Sequence, residues 1–409
     1  MQSRTFDLNT QAYKRNPYPT LARMVAQGPV VRVRFPWIGK LWMATSYEAA
    51  SELLRDRERF VREPRSAGMP QRANLPWWFP RSMQPMAEVM INRDEPDHRR
   101  LRGLVEQAFL RRGVEQLRPR FDAIMRQLLD ELEAKFRRDG HPIDLVAGLA
   151  RPFPLAVICE LLGLPSEDRP MFVKLAGAFS GSPSLFVLFR ILGAIKSINA
   201  YIREQIRLCR ANPRQGLISE LIAAKQEDDR LTEDEMVAMV ILLLLAGHMT
   251  TVHLIGAGIY TLLTHPAQKQ SLLTDWSLVY STVDELLRYL SPVQMTKPMM
   301  PAHDLEWYGQ RLKRGDKIVA LLAAANVDPQ KFEDPDRFDI HRSPNPHMAF
   351  GAGIHVCLGL RLARAEAEIA LEQLLTRFPK LELAIPPSQV KWSRQPGTRG
   401  MEALPVRLL

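Results

Sequence analysis

Cysteine is scarce in this chain, with three residues in 409: Cys159, Cys209 and Cys357. An odd, widely spaced set cannot build a disulfide framework, so reducing surroundings are expected. The opening MQSRTFDLNTQAYKRNPYP is polar and lacks the apolar stretch and cleavage pattern of a secretory leader. Long hydrophobic runs are missing too. The longest, Met236 to Gly247, has 12 residues, short of the roughly 18 to 20 that span a bilayer. A cytoplasmic protein without a membrane anchor is expected. Basic residues exceed acidic ones by 55 to 45, a net charge of +10, but they are scattered as pairs such as Arg99-Arg100, Arg111-Arg112 and Arg137-Arg138. No basic block or aromatic-interleaved stripe offers a nucleic-acid footprint. The surplus suits either solvated helix faces or a surface that steers an acidic protein partner.

What the chain has in quantity is apolar residue, 46% of the total, ample for a large core. PVVRVRF and LWMATS alternate around PWIGK and predict a β-hairpin. Helical spacing of three and four then takes over in SYEAASELLRD, DHRRLRGLVEQAF, GVEQLRPRFDAIMRQLLDELEAKFRR and FPLAVICELLGL. Between the first two of these lies a long Pro-, Met- and Trp-rich segment, Val61 to Asn92, whose length points to a functional loop. Thr232-Glu233-Asp234-Glu235 is a capping-box pattern opening a helix that runs to His265-Pro266. LVYSTVDELLRYL predicts another helix, PVQMTKPMM and KIVALLAAA predict strands, and DPQKFEDPDRFDIHRSPNPHMAF is a turn-rich meander. With no repeat and no low-complexity linker, the expectation is one mainly α domain with small β-sheets over residues 1–409. Its β-containing portion spans about 1–60 and its helical core about 93–290.

Two stretches carry the chemistry. In FGAGIHVCLGLRLARAEAEIALEQLL, glycines at 351, 353 and 359 free the backbone to approach a flat ligand. Cys357 lies just before an amphipathic helix, whose first N–H groups favour a thiolate. A thiolate in a donor-lined loop is what an iron porphyrin needs as axial ligand. Packing as a small hydrophobe suits Cys159 and Cys209 better, since for Cys357 it leaves the three glycines unexplained. Zinc lacks a second cysteine nearby, with His347 and His355 an incomplete set. A covalently attached haem needs Cys-x-x-Cys-His, which is absent. The other stretch is ILLLLAGHMTT, residues 241–251, where a buried helix is interrupted by small and polar groups.

The loop Phe350-x-x-Gly353-x-His355-x-Cys357-x-Gly359, residues 350–359, resembles the haem-binding loop of the cytochromes P450, closest to their soluble bacterial branch. Other matches run from the first hairpin to the C-terminus. Glu285-Leu-Leu-Arg288 looks like the family's Glu-x-x-Arg, with Arg337 of PDRF as third member of that structural triad. His98 and Arg102, four apart on one helix face, resemble the pair that binds haem propionates; alone they would read as an ordinary basic face. AANVDP at 324–329 fits the lead into the meander. The resemblance implies a P450 fold with a long central helix over haem b, Cys357 as iron ligand, and haem contacts from His98, Arg102, Phe350, Gly351, His355 and Gly359. The family's propionate arginine in the strand after PVQ aligns with Met299 here, and Lys297 is the expected substitute.

The same resemblance puts Ala246, Gly247, Met249, Thr250 and Thr251 at the oxygen-binding groove. The family usually has an acid before the threonine, and Met249 stands there, unable to transfer a proton. Three readings stay open: Met249 fills space while water delivers protons, His248 substitutes if solvated, or the enzyme uses peroxide or performs coupling or dehydration. The implied activity is a monooxygenase hydroxylating or epoxidising a hydrophobic small molecule. It would be a monomer fed by a ferredoxin-type donor and its NAD(P)H reductase, with docking charge from Arg99, Arg100, Arg102, Arg111, Arg112, Arg361 and Arg364. Pocket candidates are Trp77, Trp78, the helices between Arg169 and Arg210, Leu242 to Thr250, and Val293, Gln294 and Met295. A non-oxygenase haem binder and a hydrolase using Cys357 with His355 are the alternatives.

Overall fold

The capping box forms as its residues dictate. In the computed structural model, which describes residues 6–35, 39–70, 89–178, 185–223 and 231–408, the Thr232 N–H donates to the Glu235 carboxylate (2.8 Å) and the Glu235 N–H donates to Thr232 Oγ1 (3.2 Å). From there one helix, Glu233–Thr264, runs for 32 residues, roughly 48 Å at 1.5 Å per residue. Its length and composition alone would suffice to cross a membrane, but 61% of its most apolar window is buried within the protein. It ends where Pro266 begins the next helix, Pro266–Thr274.

The packing divides into two compact units. The first comprises residues 1–76, 129–150 and 250–409 and holds every described strand. These are β1 (Val30–Phe35), β2 (Gly39–Ala44), β3 (Phe60–Val61), β4 (Ile143–Asp144), β5 (Met300–Pro301), β6 (Leu305–Trp307), β7 (Gln310–Leu312), β8 (Ile318–Ala320), β9 (Glu382–Leu383) and β10 (Pro405–Arg407). The predicted hairpin is β1–β2, antiparallel with Val30 opposite Ala44 and Phe35 opposite Gly39, and β8 joins it in parallel. Alternation along these strands buries both faces. Val31, Val33, Leu41, Met43 and Val319 pack with Leu21 and Met24 from an N-terminal helix. Val30, Trp42, Ala44, Ile318 and Ala320 pack with Ala49, Ala50, Leu53 and Leu54 from the helix Tyr47–Arg55.

Two predicted strands need correction. KIVALLAAA keeps extended structure only through Ala320, after which Leu322–Ala325 is a helical turn; the alanines there favour helix once the sheet has ended. PVQMTKPMM, residues 292–300, contributes only Met300 to a strand, with single bridges at Val293 and Met299, because Pro298 has no N–H to donate.

The second unit, residues 77–128 and 151–249, is helical. Its described elements include Asp97–Arg112, Pro152–Leu162, Arg169–Ala178, Leu185–Ala211 and Leu217–Ala223; the first two fall on segments with the expected helical spacing, and the next two on the region between Arg169 and Arg210 where helices were expected. Gly163 and Gly216 cross there at backbone contact: a Cβ on Gly163 would sit 2.5 Å from the Gln215 carbonyl oxygen, and both residues have positive φ. Only glycine fits such a crossing. Arg100 pairs with Glu235, so the capping residue of the long helix also anchors the helix Asp97–Arg112.

Within the first unit, Glu285 and Arg288 lie on the helix Val279–Leu290, both fully buried. The Arg288 guanidinium donates to both Glu285 oxygens (2.8 and 2.7 Å) and to the carbonyls of Asn326 (3.0 Å), Pro335 (2.7 Å) and Arg337 (2.9 Å). All five of its N–H donors are thereby used. Glu285 accepts in addition from the Asp339 N–H (3.0 Å) and from Asn345 Nδ2 (3.1 Å). Breaking a buried pair strands a charge, at a cost of about 3–5 kcal/mol. Arg288→Met is expected to lose about that much stability, read from the denaturant midpoint; an unchanged midpoint would mean the meander holds without the pair.

Candidate functional site

Cys357 is half-buried at the end of the loop that follows Met348, and its N–H donates to the Phe350 carbonyl (3.0 Å), closing the loop on itself. Gly353, at φ +70°, is pressed against the helix Tyr47–Arg55: a Cβ there would lie 2.0 Å from the Leu54 carbonyl oxygen. Gly351, at φ +71°, and Gly359 have the opposite surroundings, since a Cβ on either would meet nothing within 4 Å. The loop is therefore wedged on one side and open on the other. The helix Leu360–Arg377 begins three residues after the cysteine, which leaves its first amides without intrahelical acceptors near the sulfur. His355, half-buried, lies in the single 3-10 turn Gly353–His355 between the glycine wedge and Cys357.

A second set of contacts holds the loop from its other end. Phe350 packs under the Arg364 guanidinium (5.1 Å to the ring centroid) and beside His347. Arg364 donates to Asp284 (2.8 Å), which also meets His347 (3.4 Å). Burial pushes the Asp284 carboxyl up, but its hydrogen bonds with His347 and Arg364 outweigh this and hold it below its ordinary range. Asp284 is the neighbour of Glu285, so the loop and the buried pair are tied to the same helix turn. Asn326, fully buried, links them further by accepting from the Met348 N–H (2.7 Å).

The third member of the triad is not the arginine the resemblance implied. Arg337 supplies its carbonyl to Arg288, while its own side chain is 64% exposed and lies 3.5 Å from Asp339. The guanidinium that approaches Glu285 is Arg342, at 3.3 Å and 11% exposed. Sequence offered both arginines, five residues apart in one turn-rich segment, and no periodicity to say which faced inward. Asp284 was missed although its helix was expected, because its partners Arg364 and His347 come from distant segments, and Asn326 and His347 were noted without this role.

The other predicted residues divide between the units. Thr250 (half-buried), Thr251 (buried), Lys297, Val293, Gln294 and Met295 belong to the first; His98, Arg102, Leu242, Ala246, Gly247 and Met249 belong to the second. His98 is 2% exposed. Arg102, four residues on, donates to Glu106 (2.6 Å). At the centre of the long helix Leu244 and His248 are buried, yet between them Leu245 is 37% exposed and Ala246 is exposed as well. Trp77 and Trp78 lie outside the described residues. Gln294 is buried with its N–H on the Gly397 carbonyl (2.9 Å). Val293 and Met295 pack against the apolar clusters on the two faces of the β1–β2–β8 sheet. These three are core neighbours first, as an apolar stripe usually is. Clefts of about 750 and 810 Å³ on the first unit contain none of the predicted residues.

The expected docking charge also shrinks. Arg100, Arg102 and Arg364 are engaged with Glu235, Glu106 and Asp284, and the side chains of Arg111 and Arg112 lie outside the described residues. Arg361 and Arg99 are exposed, Arg99 beside Glu95 (2.6 Å).

The donor set suits an iron porphyrin. One soft thiolate stands on a loop with open space beside it, and among the described residues no three His, Cys, Asp or Glu side chains gather as a polydentate metal site.

His248 is not the solvated acid that one reading required. It is 4% exposed, its Nε2 donates to the Arg151 carbonyl (3.1 Å), and burial pushes its pKa below the ordinary value. The neutral form is the folded form. As pH falls below the ordinary histidine pKa of about 6.5, the unfolded chain takes up a proton that the folded chain refuses, so stability drops until the lowered folded pKa is reached. His248→Gln, which keeps a donor for Arg151, is expected to flatten the loss of denaturant resistance between about pH 7 and pH 5; an unaltered profile would mean this histidine titrates freely.

Known proteins share both the sequence pattern and the fold. The Cytochrome P450 family profile matches residues 21–277 and 268–401. The cytochrome P450 monooxygenase PikC of Streptomyces venezuelae is 38% identical over 400 residues, 97% of this chain and 92% of that protein. Among solved structures, the bacillaene polyketide synthase cytochrome P450 PksS of Bacillus subtilis 168 superposes with a TM-score of 0.89 at 35% identity, covering 98% and 99% of the two chains. Myxobacterial cytochrome P450 CYP267B1, in complex with myristic acid, gives 0.88 at 39% identity and 98% coverage of each. By fold, by extent of match and by the loop that carries Cys357, the chain belongs to the cytochrome P450 family.

Proposed function

We propose that this cytochrome P450 holds haem b through the Cys357 thiolate and inserts one oxygen atom into a long apolar molecule of the fatty-acyl or polyketide class, with electrons from a separate ferredoxin. The observation that carries this reading is the Cys357 loop, wedged at Gly353, open at Gly351 and Gly359, and clamped through Phe350 and Asp284. The substrate class draws support from the myristic acid bound by one structural neighbour and the polyketide pathway named for another. When bound, the haem supplies the centre at which dioxygen is activated. The chain's own residues supply position and protons.

His355, His98, Arg102 and Lys297 are the proposed carboxylate contacts on the cofactor. Thr250 is the proposed proton relay, because its hydroxyl both donates and accepts and can pass a proton from ordered water. With Met249 unable to titrate and His248 kept neutral by burial, resupply through water is the favoured reading. Met249→Glu is expected to raise product formed per NADPH consumed. Thr250→Ala is expected to lower it about tenfold, equivalent to ~1.4 kcal/mol in the partition between product and hydrogen peroxide. If Met249→Glu leaves the ratio unchanged at unaltered substrate affinity, proton supply is not limiting and Met249 fills space. If Thr250→Ala leaves it unchanged, Thr250 has no part in proton transfer.

Reconstitution with a ferredoxin, its reductase and NADPH tests the activity as a whole. Fatty acids and polyketides that shift the ferric spectrum toward high spin are expected to yield products carrying one atom from labelled dioxygen. NADPH consumption with no oxygenated product from any shifting ligand would favour a haem protein that binds without oxygenating. Arg361→Glu is expected to slow reduction by the ferredoxin and to flatten its salt dependence.

A further inference from the structure

Two buried cations cross between the ends of the chain, and the acceptors they use among the described residues are all backbone carbonyls. Lys14, fully buried on the short helix Gln11–Arg15, donates through Nζ to the carbonyls of Gln395 (3.2 Å) and Thr398. Arg399, 3% exposed, runs the other way: its Nε donates to the Lys14 carbonyl (2.8 Å) and a second N–H to the Arg15 carbonyl (3.2 Å). These are last-turn carbonyls that the helix itself leaves without donors.

The segment so fastened is a loop with a closed neck. Trp392 bridges Met401, and the Ser393 N–H donates to the Gly400 carbonyl (2.8 Å), so the ends of residues 393–400 meet. Between them the one regular contact is a single bridge from Thr398 to Val293, and Arg394, Gln395 and Pro396 are exposed. The neck rests on the long helix, where a Cβ on Gly400 would lie 1.8 Å from Nδ1 of His253, three residues after Thr250. The body covers the chain after the helix Val279–Leu290: the Gln294 N–H donates to the Gly397 carbonyl (2.9 Å), the Arg399 N–H to the Pro292 carbonyl (2.9 Å), and a Cβ on Gly397 would stand 3.5 Å from Met295 Cγ.

An ammonium enclosed without water or a carboxylate is costly. The charged or titratable groups acting on Lys14 are the Arg399 guanidinium, the Tyr13 phenol, whose ring lies 5.9 Å from Nζ, and the exposed Asp7 carboxylate. Burial first, and Arg399 after it, lower the Lys14 pKa to about 8 against the pull of Asp7, while burial pushes the Tyr13 phenol up and keeps it neutral. Lifting the loop returns Nζ to water and toward its ordinary value of 10.5. The lifted form binds the proton more tightly, so protonation favours lifting and deprotonation favours closure.

We propose that residues 393–400 form a flap, hinged where its neck rests on the long helix and latched to the N-terminal helix by Lys14 and Arg399, and that Lys14 governs its opening. Amide hydrogen exchange of the holoprotein tests this at Gln294 and Arg399, whose N–H groups bond across the closed flap, with each rate expressed as protection relative to the unstructured chain at the same pH. Protection of these two amides is expected to rise about tenfold from pH 7 to pH 9.5. At every pH it is expected to stay below that of Val252 to Leu262 in the long helix, as for a segment that opens by itself. Lys14→Met, which removes the titrating group, is expected to give a flat profile, and the wild-type profile decides alone if this variant accumulates no holoprotein. Protection that stays level or falls with rising pH, protection equal to that of the long helix, or an undiminished rise in Lys14→Met would overturn the assignment.

Discussion

The buried pair of Glu285 and Arg288 is the constraint on which the loop depends. A fully enclosed guanidinium is tolerated only if every donor is used, and here two go to the partner carboxylate and three to carbonyls at 326, 335 and 337. Those carbonyls lie along an irregular stretch that also carries short-range hydrogen bonds of its own, such as Phe332 N–H to the Asp328 carbonyl and Arg342 to the Glu333 carbonyl, and the pair ties its separate turns to one helix. Asn326 passes the constraint to Met348, and Asp284 passes it through Arg364 to Phe350. The Cys357 loop is thus placed by a charged network together with the wedge of Gly353 against the helix Tyr47–Arg55. Loop residues near Cys357 can remain half-buried and open on one side because their position does not depend on being covered.

The long helix meets a different demand. Its C-terminal half, Val252 to Leu262, is almost wholly buried, and Thr261 returns its hydroxyl to the Ala257 carbonyl (2.8 Å), a local solution for a polar group inside a core. Around Leu245 and Ala246 the burial is interrupted. Ala246 and Gly247 are small, and Leu242, Leu243, Met249 and Thr250 around them are only half-buried. Placing a methionine at 249 and a neutral histidine at 248 keeps this stretch without any formal charge. Such a stretch costs little to desolvate for an apolar ligand, but it leaves proton supply to hydroxyls and water.

Much of this was legible in the sequence, and the residues that escaped share a cause. The hairpin, the helices with clear three-and-four spacing, the capping box at Thr232 and the cysteine loop each announce themselves within a few neighbouring residues, where local chemistry decides conformation. Glu285 and Arg288 were legible because a spacing of three puts them on one helix face. Arg337 was mistaken for Arg342 because a meander has no period, and which arginine turns inward is decided by carbonyls contributed from elsewhere. KIVALLAAA was over-extended because a run of apolar residues buried on all sides reads alike as strand or helix. The docking charges were overcounted because pairing with Glu235, Glu106 and Asp284 is invisible until distant elements meet.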